Sequence, residues 1–388
     1  MTSDVPEFVV RFLTCLRVKG EQRRPQGKTQ SLEGVSIIFV GTCLVLLSLF
    51  SHNVITTTHI KSHAHPALDA GNTFNVINFG AIGDGITDDT KLQGTIVAPS
   101  SFVGWTKCTE NSWMYFGYVQ GLQFTGSGKI DGRGSLWWRK RVPPALRFHN
   151  CNGLQVKGTT HVDSPMNHIE VEASQNVEMS QLNIVAPFDS PNTDGIDIAS
   201  SSHVYIHQSF IGTGDDCIAL KGESYFVNIT GIHCGPGHGI SVGSLGEGGA
   251  TDVVENVFVR NCTLNGTTNG ARIKTWQGGS GHVSGVTFEG IILVNSKHPI
   301  IIDQSYTDGA GTGAVQVTDV TFRGFLGTSA TGEAISLQCS GKLPCTNLKL
   351  DNIDIRSTST GKNVVSKCQF AHGIIVPPVV PNVTCLLK

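Results

Sequence analysis

Acidic and imidazole side chains recur along this chain at a constant interval. The step from Asp194 to Asp216 equals the step from Asp216 to His238, and Asp215 directly precedes Asp216. Carboxylates that lie close together repel, which raises the pKa of at least one of them and lets it keep a proton near neutral pH. Hydrolysis of a glycosidic bond requires one protonated acid and one or two carboxylates. If the fold brings these positions together, the three acids can perform that chemistry and His238 can tune the proton.

Two basic side chains follow the acids in the sequence. Arg272 and Lys274 flank Ile273 with a period of two, so both are predicted to project outward from the same face of a strand. Such cations suit a negatively charged substrate. Each feature alone has a simpler interpretation, because aspartates in turns often cap the turn or bind calcium, and an Arg-x-Lys pair is usually only solvated. Their joint occurrence favours acid-catalysed hydrolysis of an anionic compound.

The strands that carry these residues repeat along the chain. Short apolar strands recur roughly every 20–35 residues, without a long helical period. All-β units of this length are typical of a solenoid whose stacked coils share one core, whereas a sandwich shows hairpins roughly every 8–12 residues. The sequence therefore predicts a single-domain, right-handed parallel β-helix. Its coils are predicted to be anchored by Leu146, Ile169, Ile196, Ile218, Ile240, Ile273, Ile301 and Ile335.

The periodic polar residues each lie two positions before an anchoring isoleucine. Strand parity would point them into the core, where unpaired polar groups are costly. We therefore predict that they occupy the turns that lead into the strands. Neighbouring glycines support this placement, because glycine permits the unusual backbone angles of such turns; they are Gly195, Gly214, Gly237 and Gly239.

Composition excludes several classes of protein. The 388 residues include 28 Lys and Arg against 30 Asp and Glu, a net charge of −2, which argues against a nucleic-acid-binding protein because such proteins carry a basic excess. The 46 glycines and the charged fraction of only 15% suit a turn-rich β fold. An apolar fraction of 39% excludes a disordered chain.

Cysteines and glycosylation motifs indicate secretion. The 11 cysteines form no paired CxxC clusters of the kind that bind zinc. Candidate N-glycosylation sites occur at Asn228, Asn261, Asn265 and Asn382. Residues 35–50 are almost wholly apolar and follow a basic stretch, as in a signal peptide, although they begin farther along the chain than an ordinary signal does. A membrane anchor is the alternative, but the segment is short for a span of about 20 residues.

These observations predict two parts of the chain. Residues 1–68 form an N-terminal extension that contains the signal-like segment 35–50, and residues 69–388 form the catalytic β-helix. We expect a secreted monomer of the cell wall and extracellular space, with membrane contact only through residues 35–50. The cleavage site is left open.

Four segments resemble the signature motifs of polygalacturonases, the pectin-degrading glycoside hydrolases, and of their plant members in particular. The similarity extends from about Phe74 to the C-terminus, and the motifs are NTDGIDI, GTGDDC, CGPGHGISVGS and RIKTWQGG, in this order. The resemblance implies a right-handed parallel β-helix that hydrolyses α-1,4-galacturonosyl linkages of pectin with inversion, using no metal and no other cofactor.

The resemblance also implies roles for individual residues. Asp215 corresponds to the general acid, Asp194 and Asp216 to the pair that activates water, and His238 to the residue that holds the protonation state of the acid. Substrate-binding positions are Arg272, Lys274 and Tyr306. The implied disulfides are Cys217–Cys234, Cys339–Cys345 and Cys368–Cys385, which leaves Cys108, Cys151 and Cys262 unassigned.

Two departures from the family pattern occur. The opening motif at residues 74–90 is followed almost directly by Gly94, so that a capping helix and further strands, roughly two coils, are missing. The β-helix is therefore expected to be shortened near its N-terminal end and less stable, because solenoids need capped ends. Thr307 stands where relatives commonly carry a cysteine after the tyrosine, so no local disulfide is expected there.

Two alternatives to a polygalacturonase remain open from the sequence. One is a related β-helix pectinase, either a rhamnogalacturonan hydrolase or a calcium-dependent pectate lyase. The other is a non-catalytic solenoid that binds the cell wall because the missing N-terminal segment has abolished catalysis. Attack within the polymer and attack from its end are not distinguished.

Overall fold

The structure, a computed structural model, is built of β-strands that alternate with turns and loops in the residues that it describes. These are the strands at 9–11, 16–19 and 36–39 and residues 91–92, 94–98, 100, 112–139, 143–306 and 314–386. Two short 3₁₀ turns, Gly134–Leu136 and Glu247–Gly249, interrupt the strands. Within these ranges no helix has the length and apolar character needed to cross a membrane.

The described strands are numbered in the order of the chain. The first fifteen are β1 (Val9–Arg11), β2 (Leu16–Lys19), β3 (Ser36–Phe39), β4 (Lys91–Leu92), β5 (Thr95–Val97), β6 (Met114–Gly117), β7 (Gln123–Gly126), β8 (Lys129–Asp131), β9 (Leu146–His149), β10 (Gln155–Lys157), β11 (Thr160–Val162), β12 (Ile169–Glu172), β13 (Gln175–Ser180), β14 (Asn183–Val185) and β15 (Ile196–Ala199). The others are β16 (Ser202–His207), β17 (Phe210–Gly212), β18 (Ile218–Leu220), β19 (Ser224–Thr230), β20 (His233–Cys234), β21 (Ile240–Leu245), β22 (Thr251–Arg260), β23 (Thr263–Asn265), β24 (Asn269–Thr275), β25 (Ser280–Ser296), β26 (His298–Asp303), β27 (Gln316–Ser329), β28 (Glu333–Gln338), β29 (Cys345–Ser357), β30 (Val365–Gln369) and β31 (Ala371–Val380).

Two sheets run the length of the solenoid. The first sheet contains 12 strands in the order β3-β2-β6-β9-β12-β15-β18-β21-β24-β26-β28-β30, and the second contains the other 19. From β6 onward each coil adds one strand to the first sheet, and strands of successive coils pair in parallel. The prediction of a right-handed parallel β-helix is confirmed.

The register confirms the first five predicted anchors and corrects two later ones. Leu146, Ile169, Ile196, Ile218 and Ile240 pair in succession. The next partners are Ala271 and Ile300, followed by the predicted Ile335. The anchors at Ile273 and Ile301 were therefore wrong. In β24 both Ala271 and Ile273 alternate with the basic residues, so the alternation fits either of them as the anchor. Residues 300–302 are all isoleucine and show no alternation.

Disulfides hold successive turns together as the family resemblance implied. Cys217–Cys234, Cys339–Cys345 and Cys368–Cys385 are all bonded. Cys151 and Cys262 are buried free thiols, and burial raises the pKa of each to about 11. Cys108 lies outside the described residues.

Several predictions fall on residues that the structure does not describe. The boundary between residues 68 and 69, the opening motif at 74–90 and Thr307 are among them. Of the signal-like segment 35–50, only Ser36–Phe39 is described, as a strand that pairs antiparallel with β2. The asparagines of all four glycosylation motifs are exposed, and their glycosylation stays a prediction.

Two histidines are buried on the coil that precedes Asp194. His161 and His168 are each only 1% exposed. The Nε2 atom of His161 lies 2.9 Å from the hydroxyl of Thr159. Burial, with a smaller contribution from the charge of His168, lowers the pKa of His161 to about 3. Burial also lowers the pKa of His168 to about 4, although its backbone hydrogen bonds oppose the shift.

These histidines should make the fold sensitive to acid. In the unfolded chain each binds a proton below pH 6.5, whereas in the folded chain each stays neutral down to pH 3–4. The contribution of these neutral histidines to the free energy of unfolding should therefore be fully present above pH 6.5 and should decrease as the pH falls from 6.5 toward 4. Urea unfolding at several pH values measures this dependence. His161→Gln should flatten the slope by about 1.4 kcal/mol per pH unit, the value for one proton, and an unchanged slope would contradict the assignment.

Candidate active site

The acids and the histidine occupy equivalent turns of three successive coils. Asp194, Asp216 and His238 each lie two residues before a strand of the first sheet, in the connection rather than in the strand. The isoleucines that begin these strands are in register, and adjacent strands lie about 4.8 Å apart. The predicted placement in turns is confirmed. The next coil carries Asn269 at the same place, and its amide donates to the carbonyl oxygen of His238 over 3.2 Å.

Asp215 and His238 form a hydrogen-bonded pair. The Oδ1 atom of Asp215 lies 2.8 Å from Nδ1 of His238, and the same oxygen accepts the N–H group of Asp216 over 2.8 Å. Burial raises the pKa of Asp215, but the hydrogen bond and charge of His238, followed by the charge of Lys274, outweigh it and hold the pKa below its usual value. The second oxygen, Oδ2, makes no hydrogen bond to any described residue, so it is available to a ligand.

Asp216 is the centre of a buried ion cluster. Its side chain has no exposed area. Oδ1 accepts Nη2 of Arg272 at 2.5 Å and the Ser241 hydroxyl at 2.8 Å, and Oδ2 accepts Nζ of Lys274 at 2.9 Å. Arg272 also donates its Nε–H to the Ser241 oxygen over 2.9 Å. Two cations and a hydroxyl therefore compensate one buried carboxylate, as burial of a charge requires.

This cluster corrects the prediction for the two basic residues. Arg272 and Lys274 do share one face of β24, and the core residue Ile273 lies between them. They do not project outward into solvent, because each is only 7% exposed and both bind Asp216. Sequence parity predicted the face correctly, but it could not show that a carboxylate from two coils earlier lies against that face.

Tyr306 completes the cationic side of the site. Its ring centroid lies 5.0 Å from Nζ of Lys274 and 5.9 Å from Cζ of Arg272, distances at which a cation interacts favourably with an aromatic ring. The side chain is 39% exposed. An aromatic edge therefore borders the ion cluster and remains accessible to a ligand.

Asp194 differs from the other two acids. Burial raises its pKa well above the usual value, and the charges of Asp197, Asp215 and Asp216 raise it further. Its carboxyl group makes no hydrogen bond or ion pair with the described residues. The expectation that clustering would raise the pKa of at least one acid is thus met at Asp194, and not at Asp215.

A second buried acid extends the site and was missed from the sequence. Asp197, on β15, lies 2.5 Å from Nζ of Lys221 and also accepts the side-chain amide of Asn167. Burial raises the pKa of Asp197 more than the charge of Lys221 lowers it. The signal was present, because Asp197 interrupts the apolar strand of the motif NTDGIDI, but the motif alone gives no partner for it.

Two properties of the cluster, its charge and the spacing of its acids, bear on its chemistry. Asp215, Asp216 and His238 each offer a ligand atom, and these atoms lie within 4.8 Å of one another. The oxygens of Asp216 already bind two cationic side chains, so a metal ion placed there would meet strong repulsion. The spacing of Asp215 and Asp216 is also shorter than the roughly 6.5–9.5 Å that is usual between the carboxyl groups of inverting glycosidases.

Comparisons with known proteins agree with this arrangement. Residues 69–376 match the sequence profile of glycosyl hydrolases family 28. A probable polygalacturonase of Arabidopsis thaliana is 41% identical over 373 residues, which cover 82% of this chain and 81% of that protein. The solved endo-xylogalacturonan hydrolase of Aspergillus tubingensis is similar with a TM-score of 0.65 and 25% identity, over 72% of this chain and 84% of the other. The polygalacturonase of Erwinia carotovora has a TM-score of 0.59 and 26% identity, over 71% and 81% respectively.

Proposed function

Because this chain belongs to glycosyl hydrolase family 28, we propose that it hydrolyses α-1,4-galacturonosyl linkages in pectin or polygalacturonate. One observation carries the proposal. Asp215, Asp216 and His238 offer ligand atoms within 4.8 Å of one another, and Asp194 occupies the equivalent turn of the preceding coil, where the charges of both other acids act on it. Two cations and an accessible tyrosine lie beside this cluster. The acids can supply and accept protons, and the cationic side suits a sugar that bears a carboxylate.

In the proposed reaction Asp215 is the general acid. Its free Oδ2 donates a proton to the glycosidic oxygen while the bond from that oxygen to the anomeric carbon breaks. A water molecule attacks the same carbon from the opposite face, and Asp194 or Asp216 accepts the proton that the water loses. The products are a sugar with a new hydroxyl at the anomeric carbon and a leaving chain with a free hydroxyl, so each proton is accounted for.

Because the pKa of Asp194 is raised and that of Asp215 is lowered, Asp194 must lose a proton and Asp215 must gain one before the reaction. The free Oδ2 atom of Asp215 can take up this proton from solvent, while the hydrogen bond of 2.8 Å to His238 occupies the other oxygen, Oδ1. A galacturonate carboxylate that enters the site adds negative charge, which raises the pKa of nearby acids. Substrate binding therefore favours transfer of the proton to Asp215.

Arg272 and Lys274 are proposed to serve both the protein and the substrate. Arg272 uses Nε and Nη2 for Ser241 and Asp216, while its Nη1 has no hydrogen-bond partner among the described residues. Lys274 uses one of its three N–H donors for Asp216. Together with Tyr306, the remaining donors can bind the galacturonate carboxylate.

We also propose that the protein acts outside the cell. Three disulfides support this location, since disulfides rarely persist in the cytosol. The exposed glycosylation motifs agree with passage through a secretory compartment. A monomeric state, and membrane contact through residues 35–50, remain part of the proposal.

The reaction type is tested with polygalacturonic acid. We expect release of reducing sugars, no new ultraviolet absorbance from unsaturated products, and no loss of rate with a calcium chelator. Unsaturated products or chelator sensitivity would instead support the lyase alternative. A folded chain without any release would support the wall-binding alternative.

The identity of the acid is tested with leaving groups. Asp215→Asn should lower kcat on polygalacturonate by orders of magnitude, because the amide cannot donate the acidic proton that the leaving group needs. It should change Tm little, because the two side chains have nearly the same size and shape. With an aryl galacturonide whose phenol leaves readily, the same variant should lose much less, since a good leaving group needs no protonation. Asp194→Asn is the matched control and should be impaired equally on both substrates. The reverse pattern would make Asp194 the acid.

The stereochemical course is tested by proton NMR during the first turnovers. Inversion predicts that the β-anomer of the reducing product appears before mutarotation. The α-anomer would show retention, in agreement with the short spacing of Asp215 and Asp216 and against the role proposed for the water.

A further inference from the structure

His168 holds the backbone of Asp194 from the preceding coil. The carbonyl oxygen of Asp194 accepts two hydrogen bonds from this residue, one from its backbone N–H at 2.8 Å and one from Nδ1 at 3.0 Å. On the other side of the ring, Nε2 accepts the N–H group of Ser164 over 3.2 Å. Because a carbonyl only accepts and a peptide N–H only donates, these partners fix the neutral tautomer with its hydrogen on Nδ1.

The carboxyl group of Asp194 depends on this backbone for its position. Asp215 is held by His238, and Asp216 by two cations and a hydroxyl. Within the described residues the Asp194 side chain has no such partner. Its place in the cluster is therefore set by the turn from which it projects, and His168 supplies two of the hydrogen bonds that fix this turn.

The same turn is tied on its other side to the following coil. The N–H of Gly195 donates to the carbonyl oxygen of Asp216 over 2.8 Å, and the hydroxyl of Thr193 accepts the N–H of Gly214 over 3.0 Å. Among the described residues the turn is thus clamped between two coils, and its imidazole contact comes from the N-terminal side. Loss of that contact would free the turn on one side and move the carboxyl group relative to Asp215.

We propose that His168 is a positioning residue for catalysis, which fixes Asp194 through its carbonyl oxygen at the place where it can act on water. This inference rests on the proposed function. The burial of His168 suits this role, because a neutral imidazole away from solvent keeps one tautomer throughout the range of pH in which a cell-wall enzyme works.

Two substitutions separate the hydrogen bond from the volume of the ring. In His168→Asn the amide nitrogen can take the place of Nδ1 and still donate to Asp194, whereas in His168→Gln the amide lies near the place of Nε2 and that donor is lost. On polygalacturonate we expect His168→Gln to lower kcat by roughly 10- to 100-fold, as small misplacements of catalytic groups do, with KM changed less than about threefold. His168→Asn should keep kcat within about threefold of the unsubstituted protein.

His161→Gln is the matched control, because His161 is equally buried on the same coil and bonds Thr159 rather than Asp194. It should lower Tm and leave kcat unchanged. If His168→Gln does not fold, His168→Ala assayed at low temperature replaces it, with the same expected loss of kcat. Two outcomes in an otherwise active protein overturn the positioning role alone. One is that the folded His168 variants keep full kcat, and the other is that His161→Gln lowers kcat as much as His168→Gln does. An unsubstituted protein without activity overturns the proposed function and the positioning role with it.

Discussion

The parallel register of successive coils is the constraint on which the site depends. Ile196, Ile218 and Ile240 pair directly, so the residue two places before each must lie one strand spacing, about 4.8 Å, from its neighbour. Residues that are one full coil apart in the sequence thereby become neighbours in space. A shift of register by one residue would turn the apolar positions out of the core. The same core packing that fixes the coils therefore also fixes the distances within the cluster of acids.

Placing like charges close together is electrostatically unfavourable, and the surroundings of the three acids differ in how they compensate this repulsion. Asp216 is paired with two cations and a hydroxyl, and Asp215 is paired with His238. Asp194 has no such partner among the described residues, so burial and repulsion raise its pKa. The cluster can hold two charges only because β24 delivers two cations to the same carboxylate. Removing one partner of such a buried pair typically costs about 3–5 kcal/mol, so Arg272 and Lys274 are expected to support the fold in addition to the substrate binding proposed for them.

The architecture and the cluster could be predicted from the sequence because both arise from residues that recur at regular intervals. Apolar strands at regular intervals indicated stacked coils, and the equal steps between Asp194, Asp216 and His238 placed these three residues side by side. Features without a period were missed or misread. The ion pairs of Asp216 join residues that are 56 and 58 positions apart. The anchor at Ala271 was missed because Ile273 fits the same alternation, and the anchor at Ile300 was missed because residues 300–302 are all isoleucine. His168 gives no sequence signal either, since a buried histidine is recognised by its partners rather than by its spacing.

The distribution of protons links the choice of substrate to the proposed chemistry. In the resting site the pKa of Asp194 is raised and that of Asp215 is lowered, whereas the proposed reaction needs the proton on Asp215. A neutral sugar would leave this distribution unchanged. A galacturonate carboxylate bound by Arg272 and Lys274 would instead offset part of the positive charge that Lys274 exerts on Asp215, one of the influences that keep the pKa of this acid low. The carboxylate by which the substrate is recognised would thereby also raise the pKa of Asp215 and favour its protonation, because Lys274 takes part in both effects.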